Sequence, residues 1–231
     1  MEESSRISPM TNPFEGVRAV LFDMDGTLVE TNIDFPLMKR EMLALGERHG
    51  IPASELQGLD ILAVVDHVTS QLSKEEAKSV RQEAFDRLEQ IELVHCQDAG
   101  PIDCAPELLK ALEDAGIKVA VVTRNCRSAV RLSLEKAGIH SDVLLTRDDV
   151  PKTKPHPDHL HQALDMLGVP SEEAMMVGDH WMDIRAGKAA GTRTIGFLRP
   201  DRPHDFFDLE PPDLVVQDLA ELLAFVKRLK I

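Results

Sequence analysis

Residues 17–29 read VRAVLFDMDGTLV. Val17, Ala19, Val20, Leu21 and Phe22 make a short, nearly continuous apolar run, the pattern of a strand covered on both faces in a parallel sheet. The run ends in two aspartates, Asp23 and Asp25, followed at once by Gly26 and Thr27. A buried strand has no structural use for two carboxylates at its end. In an extended chain, residues two apart project to the same side. Their charges repel, and one of the pair would hold a proton. A divalent cation removes the conflict, and hard oxygen ligands suit magnesium. Gly26 lets the backbone leave the strand sharply. An Asp-Gly turn is the bland reading of the same letters, but the full string DMDGTL is more specific than the turn.

The chain has 231 residues, 43% of them hydrophobic, enough for one large domain or a domain with a smaller insert. Its 26 basic and 40 acidic residues give a formal net charge of -14. Such a surface repels nucleic acid and anionic membranes, so neither is an expected partner. An anionic substrate must then meet a local positive site. No apolar run is long enough to span a bilayer, and the first residues are polar, unlike a secretion signal. Cys96, Cys104 and Cys126 form no C-x-x-C pair. A sparse, odd set reads as reduced thiols and a cytoplasmic protein, and Cys126 reads as a small bystander. The oligomeric expectation is a monomer or homodimer.

Residues 1–16 read as a loose leader, with Pro9 and Pro13 opposing regular structure. From residue 35 to 99 strand-like runs give way to helical spacing. Leu37, Met38, Met42 and Leu45 can cover one helix face. A second helix is expected through residues 59–68, and Ser73 with Glu76 reads as a capping box opening a long helix to about His95. From Pro101 the chain alternates. Strands are expected at 117–122, 143–146, 174–177, 194–198 and 214–216. Helices are expected at 106–116, 128–137, 157–167, 184–190 and from 219 on. The expected fold is α/β: a Rossmann-like parallel sheet with helices on both faces, and a small all-helical cap domain inserted after the first strand. The expected domains are a core of 17–32 and 101–231 and a cap of 33–100.

Polar residues follow the first, second and fourth strands: Asp23 and Asp25, Thr123, then Asp179 and Asp183. In an open parallel sheet, ligands bind at the carboxyl ends of the strands, where the order reverses, so these groups are expected to converge. Asp179 can join Asp23 in holding a cation. Asp183, one helical turn on, can support it. Lys154, in KTKPHPD, is followed by Pro155, which favours an extended loop that can carry a compact positive charge to the site. Each residue has a plainer use. Thr123 could end a strand, Lys154 could be solvated, Asp179 could cap the next helix, and Asp183 could lie on its surface. His156, His159 and His161 cluster without the spacing of a zinc helix, and read as a polar helix start. His180 follows Asp179 and is given no chemistry.

Together these residues resemble the haloacid dehalogenase superfamily, whose four motifs match in order: Asp23-Met24-Asp25-Gly26-Thr27-Leu28, Thr123, Lys154-Pro155, and Gly178-Asp179 with Asp183. The match runs from about Val17 to Leu198. The helical insert looks like the cap of the phosphoglycolate-phosphatase-like group. The resemblance implies a magnesium-dependent phosphatase acting on a small phosphorylated metabolite, such as phosphoglycolate or a sugar phosphate. Asp23 is then the nucleophile that forms an aspartyl-phosphate, and Asp25 the acid and base. Magnesium is held by Asp23, Asp179 and the backbone carbonyl of Asp25, supported by Asp183. Thr123, Arg124, Asn125 and Lys154 hold phosphoryl oxygens and offset charge.

Within that family the second aspartate discriminates. Members that expel halide lack an acid two residues after the nucleophile, because halide leaves without a proton, so Asp25 favours phosphate-ester hydrolysis. A phosphomutase needs the same residues and remains an alternative. A non-catalytic phospho-aspartate switch is a third reading, which the insert argues against. Hinges near 30–34 and 98–104 are expected to close the cap over the leaving group. Lys39, Arg40 and Arg124 are candidate substrate contacts.

Overall fold

The computed structural model describes residues 12–229. Along the chain run β1 (Ala19–Phe22), β2 (Val29–Glu30), α1 (Phe35–Arg48), α2 (Ala53–Leu56), α3 (Ile61–Ser70) and α4 (Lys74–His95). Next come β3 (Gly100–Pro101), α5 (Ala105–Asp114), β4 (Lys118–Val122), α6 (Arg127–Ala137), β5 (Val143–Leu145) and α7 (Asp158–Leu167). The chain closes with β6 (Ala174–Gly178), α8 (Trp181–Ala190), β7 (Arg193–Phe197), β8 (Leu214–Val216) and α9 (Leu219–Val226).

The main sheet is parallel throughout, in the order β5-β4-β1-β6-β7-β8. β1 is therefore central, and all four of its residues are buried. Its alternation feeds two layers. Ala19 and Leu21 join Ala120, Val122, Ala174 and Met176 beneath Leu160, Leu164 and Leu167 of α7 and Ala186 of α8. Val20 and Phe22, also buried, point the other way, to the face where α5 packs on β4 and α9 on β8. This is the expected α/β sheet with helices on both faces.

The fold divides into two units. The first holds the described residues up to Glu30, Gly100–Arg124 and Leu134 onward; the second holds Thr31–Ala99 and Asn125–Ser133. The first unit includes a small antiparallel pair, with Val29 opposite Pro101 and Glu30 opposite Gly100, at the edge of the stretches read as hinges. The second unit is all helical. Its α4 opens with the expected capping box: the Ser73 hydroxyl accepts the Glu76 N–H at 3.4 Å, and the Glu76 carboxylate accepts the Ser73 N–H at 3.2 Å. Its interior is Met38, Met42 and Leu45 of α1, Val64, Val65 and Val68 of α3, and Val80, Leu88 and Ile91 of α4.

Three expectations need correction. The second unit is not a single insert, because Cys126 and Ala129 complete its apolar interior from a later stretch. The buried Glu92 carboxylate also accepts the Cys126 N–H at 3.0 Å. Residues 12–16 are not a loose leader. Phe14 is buried, Asn12 donates to the Phe225 carbonyl at 2.8 Å, and Arg193 donates to the carbonyls of Pro13 and Glu15. The rest of the expected leader, residues 1–11, lies outside the described residues. Finally, α8 starts at Trp181 rather than Ile184, which puts Asp183 in its first turn.

Candidate active site

The chain winds from β1 out to β5 on one side and then to β8 on the other. Such a reversal makes the carboxyl ends of the central strands the place where a ligand binds. Asp23 leaves β1 there, its N–H still donating to the Val177 carbonyl of β6 at 2.9 Å. The strand ends at Phe22, so Asp23 and Asp25 are not paired by strand alternation. Residues 24–29 coil instead into a tight turn, with the N–H groups of Leu28 and Val29 donating to the Met24 carbonyl and that of Gly26 to Val29. Asp25 is half-buried within this turn.

Gly26 is required twice over. Its φ of +80° lies in the left-handed region, and a Cβ there would come within 2.5 Å of Asp179 Oδ2. A Cβ on Gly178 would likewise fall on the Asp183 carboxylate. The two glycines let backbone and carboxylates crowd into one place. Asp179, 8% exposed, is not the cap of α8. That position belongs to His180, whose Nδ1 accepts the Met182 N–H at 3.4 Å. Asp183 accepts the His180 N–H at 3.1 Å on one oxygen and the Lys154 ammonium at 2.6 Å on the other.

Lys154 is the centre of the charge arrangement. It is 2% exposed, and its Nζ donates to Asp23 Oδ1 at 2.7 Å as well as to Asp183. Burial alone would lower its pKa, but the Asp183 and Asp23 carboxylates outweigh that and raise it. Burial raises the pKa of Asp23, with Asp183 pushing the same way and Lys154 opposing. Asp179 is pushed up to about 8 by burial and by the charges of Asp23, Asp183 and Asp25, against the pull of Arg199.

Carboxylate oxygens of Asp23, Asp179 and Asp183 all lie within 4.8 Å of one another. Lys154 bonds only Asp23 and Asp183 of the three, and the ligand atoms of all three are hard oxygens. The donor set fits a divalent cation of the magnesium type. Asp183, expected as a support, stands beside Asp23 and Asp179 in this group; Asp25 was expected to act through its backbone carbonyl.

Thr123 follows β4, is buried, and donates its N–H to the Leu145 carbonyl at 2.9 Å. The Arg124 carbonyl accepts from Arg147 at 3.3 Å, and its guanidinium lies against Met182 Sδ. Asn125 is buried and begins the segment assigned to the second unit, as Lys39 and Arg40 are part of that unit.

Two residues were missed. Arg199 stands just beyond β7, its Nη1 close to the ideal Cβ position of Gly26, and its Nη2 on Glu30 at 2.7 Å. Only its place at a strand's carboxyl end signalled it. His159 stands at the start of α7 as expected but is not solvated: it is fully buried, and its Nδ1 accepts the Lys154 N–H at 3.3 Å. His156 and His161 stay near the surface. His180 is mostly buried, its pKa lowered to about 4 first by desolvation.

A family model described as haloacid dehalogenase-like hydrolase matches residues 20–197. The chain is 33% identical to the N-acetylmuramic acid 6-phosphate phosphatase of Pseudomonas aeruginosa, covering 92% of this chain and 96% of that one. It is 30% identical to the pyrophosphatase PpaX of Bacillus pumilus, covering 91% and 96%. Among solved structures, it superposes on an HAD family hydrolase from Deinococcus radiodurans, determined with bound phosphate and sodium. That match has a TM-score of 0.61 at 25% identity, covering 92% of this chain and 97% of that one. The chain belongs to the haloacid dehalogenase-like hydrolases. It is an enzyme of that family, built on the family's α/β sheet.

Proposed function

We propose that this hydrolase is a magnesium-dependent phosphatase that hydrolyses a small phosphorylated metabolite through an aspartyl-phosphate on Asp23. The observation that carries the reading is the joint placement of Asp23, Lys154, Asp179 and Asp183 at the carboxyl end of β1 and β6. The phosphatase name of the Pseudomonas aeruginosa relative supports it. Asp23, Asp179 and the Asp25 carbonyl would hold the magnesium, with Asp183 beside them. When bound, it supplies positive charge to the phosphoryl oxygens.

The chain's own residues do the rest. A carboxylate oxygen of Asp23 attacks phosphorus while the bond to the ester oxygen breaks. Asp25, protonated at that moment, gives its proton to the leaving oxygen. Asp25 then takes a proton from water, whose oxygen attacks phosphorus and breaks the bond to Asp23. Inorganic phosphate leaves, and Asp23 is again a carboxylate. Thr123 and the Arg124 amide hold phosphoryl oxygens, with Asn125 at the edge of the same loop. Lys154 keeps Asp23 ionised in a buried place and offsets charge on the phosphoryl group. No described helix is long and apolar enough to cross a membrane, which suits a cytoplasmic enzyme acting on soluble esters.

Phosphate release from a panel tests this: a sugar 6-phosphate, 2-phosphoglycolate, p-nitrophenyl phosphate and inorganic pyrophosphate, each with and without magnesium. Release from at least one monoester, lost without magnesium, is expected. Release from pyrophosphate alone, or from nothing, would overturn the reading. Conversion of a sugar phosphate to its isomer without free phosphate would mark the phosphomutase.

A further inference from the structure

His159 is a buried ionisable side chain that the proposed chemistry does not use. It lies in the first turn of α7 with no exposed surface. Its Nδ1 accepts the backbone N–H of Lys154 at 3.3 Å, so the ring proton sits on Nε2. Its Nε2 has no hydrogen-bond partner, though the Leu145 carbonyl lies near enough to pull the ring's pKa upward. That same carbonyl accepts the Thr123 N–H at 2.9 Å. One ring therefore holds the backbone of Lys154 and lies near the acceptor that holds Thr123. Burial and the nearby charges of Lys154 and Arg124, against Asp149, hold its pKa down to about 3. The ring is neutral at physiological pH and keeps its acceptor.

We propose that His159 is a positioning residue: it fixes the Lys154 backbone and the Leu145–Thr123 pairing together, and so sets where the ammonium and the hydroxyl meet the phosphoryl group. The proposal rests on the phosphatase reading for its catalytic consequence, though not for its geometry. A role in packing alone would be met by any apolar residue of similar volume. Positioning needs an acceptor at the place of Nδ1, because without it the buried Lys154 N–H has no partner of its own. Asparagine supplies an oxygen near that place, whereas glutamine places its oxygen nearer that of Nε2.

The test compares His159→Leu, His159→Asn and His159→Gln in the full chain with magnesium. Two readouts are used: p-nitrophenyl phosphate hydrolysis and amide exchange at Lys154 and Thr123. In His159→Leu, kcat is expected to fall about ten-fold or more with little change in KM, since a small misplacement of a catalytic group is costly. His159→Asn is expected to recover most of that loss and His159→Gln little of it. Exchange at both amides is expected to quicken in the leucine and glutamine variants and to stay slow in the asparagine variant. A leucine variant as fast as the parent, or an asparagine variant as slow as leucine, overturns the proposal. If the leucine variant does not fold, equal rates in the asparagine and glutamine variants do the same. If the parent releases no phosphate from any ester, the phosphatase reading fails on its own. Exchange then decides: unchanged protection at Lys154 and Thr123 in all variants overturns the positioning role, and the stated pattern upholds it.

Discussion

Lys154 Nζ sits 2.7 Å from Asp23 Oδ1, joining two residues 131 positions apart in a place almost closed to water. Removing one partner of a buried ion pair strands the other charge, at a cost of about 3–5 kcal/mol. Lys154→Met is expected to lose that order of stability at pH 8, measured by urea unfolding without added metal. The loss is expected to shrink as pH falls, because burial raises the Asp23 pKa and lets its carboxyl take up a proton. Phosphate release by the variant is expected to be lost.

Asp23→Asn tests the nucleophile. The amide keeps the shape, and Lys154 is not stranded because it retains its 2.6 Å bond to Asp183. Turnover is expected to vanish while the unfolding midpoint in the absence of metal holds or rises. A variant near the parent rate would falsify the assignment.

Asp25→Asn tests the acid. Poor leaving groups need the proton and good ones do not. Hydrolysis of an alkyl phosphate is expected to fall much further than that of p-nitrophenyl phosphate, and equal losses would count against the role.

Asp179 gives a pH dependence whose sign is fixed. Its folded pKa, about 8, lies above the ordinary carboxylate value. The folded protein holds a proton there that the unfolded chain has lost, so the stabilisation is complete below about pH 4. It is lost as pH rises through 8. Magnesium competes with that proton. Its stabilising effect, read as a shift in melting temperature, is expected to be larger at pH 8.5 than at pH 6. Equal shifts at both would argue that Asp179 is not a ligand.

Gly26→Ala puts a side chain where φ is +80° and where Asp179 Oδ2 already stands. Magnesium affinity, measured by calorimetry, is expected to drop more than about ten-fold, the scale seen when groups around a metal ligand are disturbed. Unchanged affinity would mean that the Asp179 carboxylate need not stay where it is.

Much of this arrangement was legible in the chain. Apolar runs of four to six residues ending in Asp23, Thr123 and Asp179 mark buried parallel strands, and parallel strands place their ends together. The switch of period after residue 35 marked the helical unit. What was hidden depends on packing. Nothing in the letters around Asp183 shows that Lys154 bridges it to Asp23, because that needs the 152–157 loop to cross the sheet edge. Arg199 sits in LRPDRP, a string without periodicity. His159 left a trace that the histidine cluster obscured: it lies four and eight residues before Ala163 and Leu167, on the stripe that α7 buries.

The ladder between Val29–Glu30 and Gly100–Pro101 sets the two ends of the 31–99 stretch side by side. To the sheet, that stretch is a closed excursion, and doubling such a loop costs only about 0.6 kcal/mol in closure entropy. The doorway can therefore accept inserts of other sizes while every sheet strand keeps its register. One tether limits such grafts: a foreign insert must offer Cys126 and Ala129 an apolar seat, or leave the start of α6 bare.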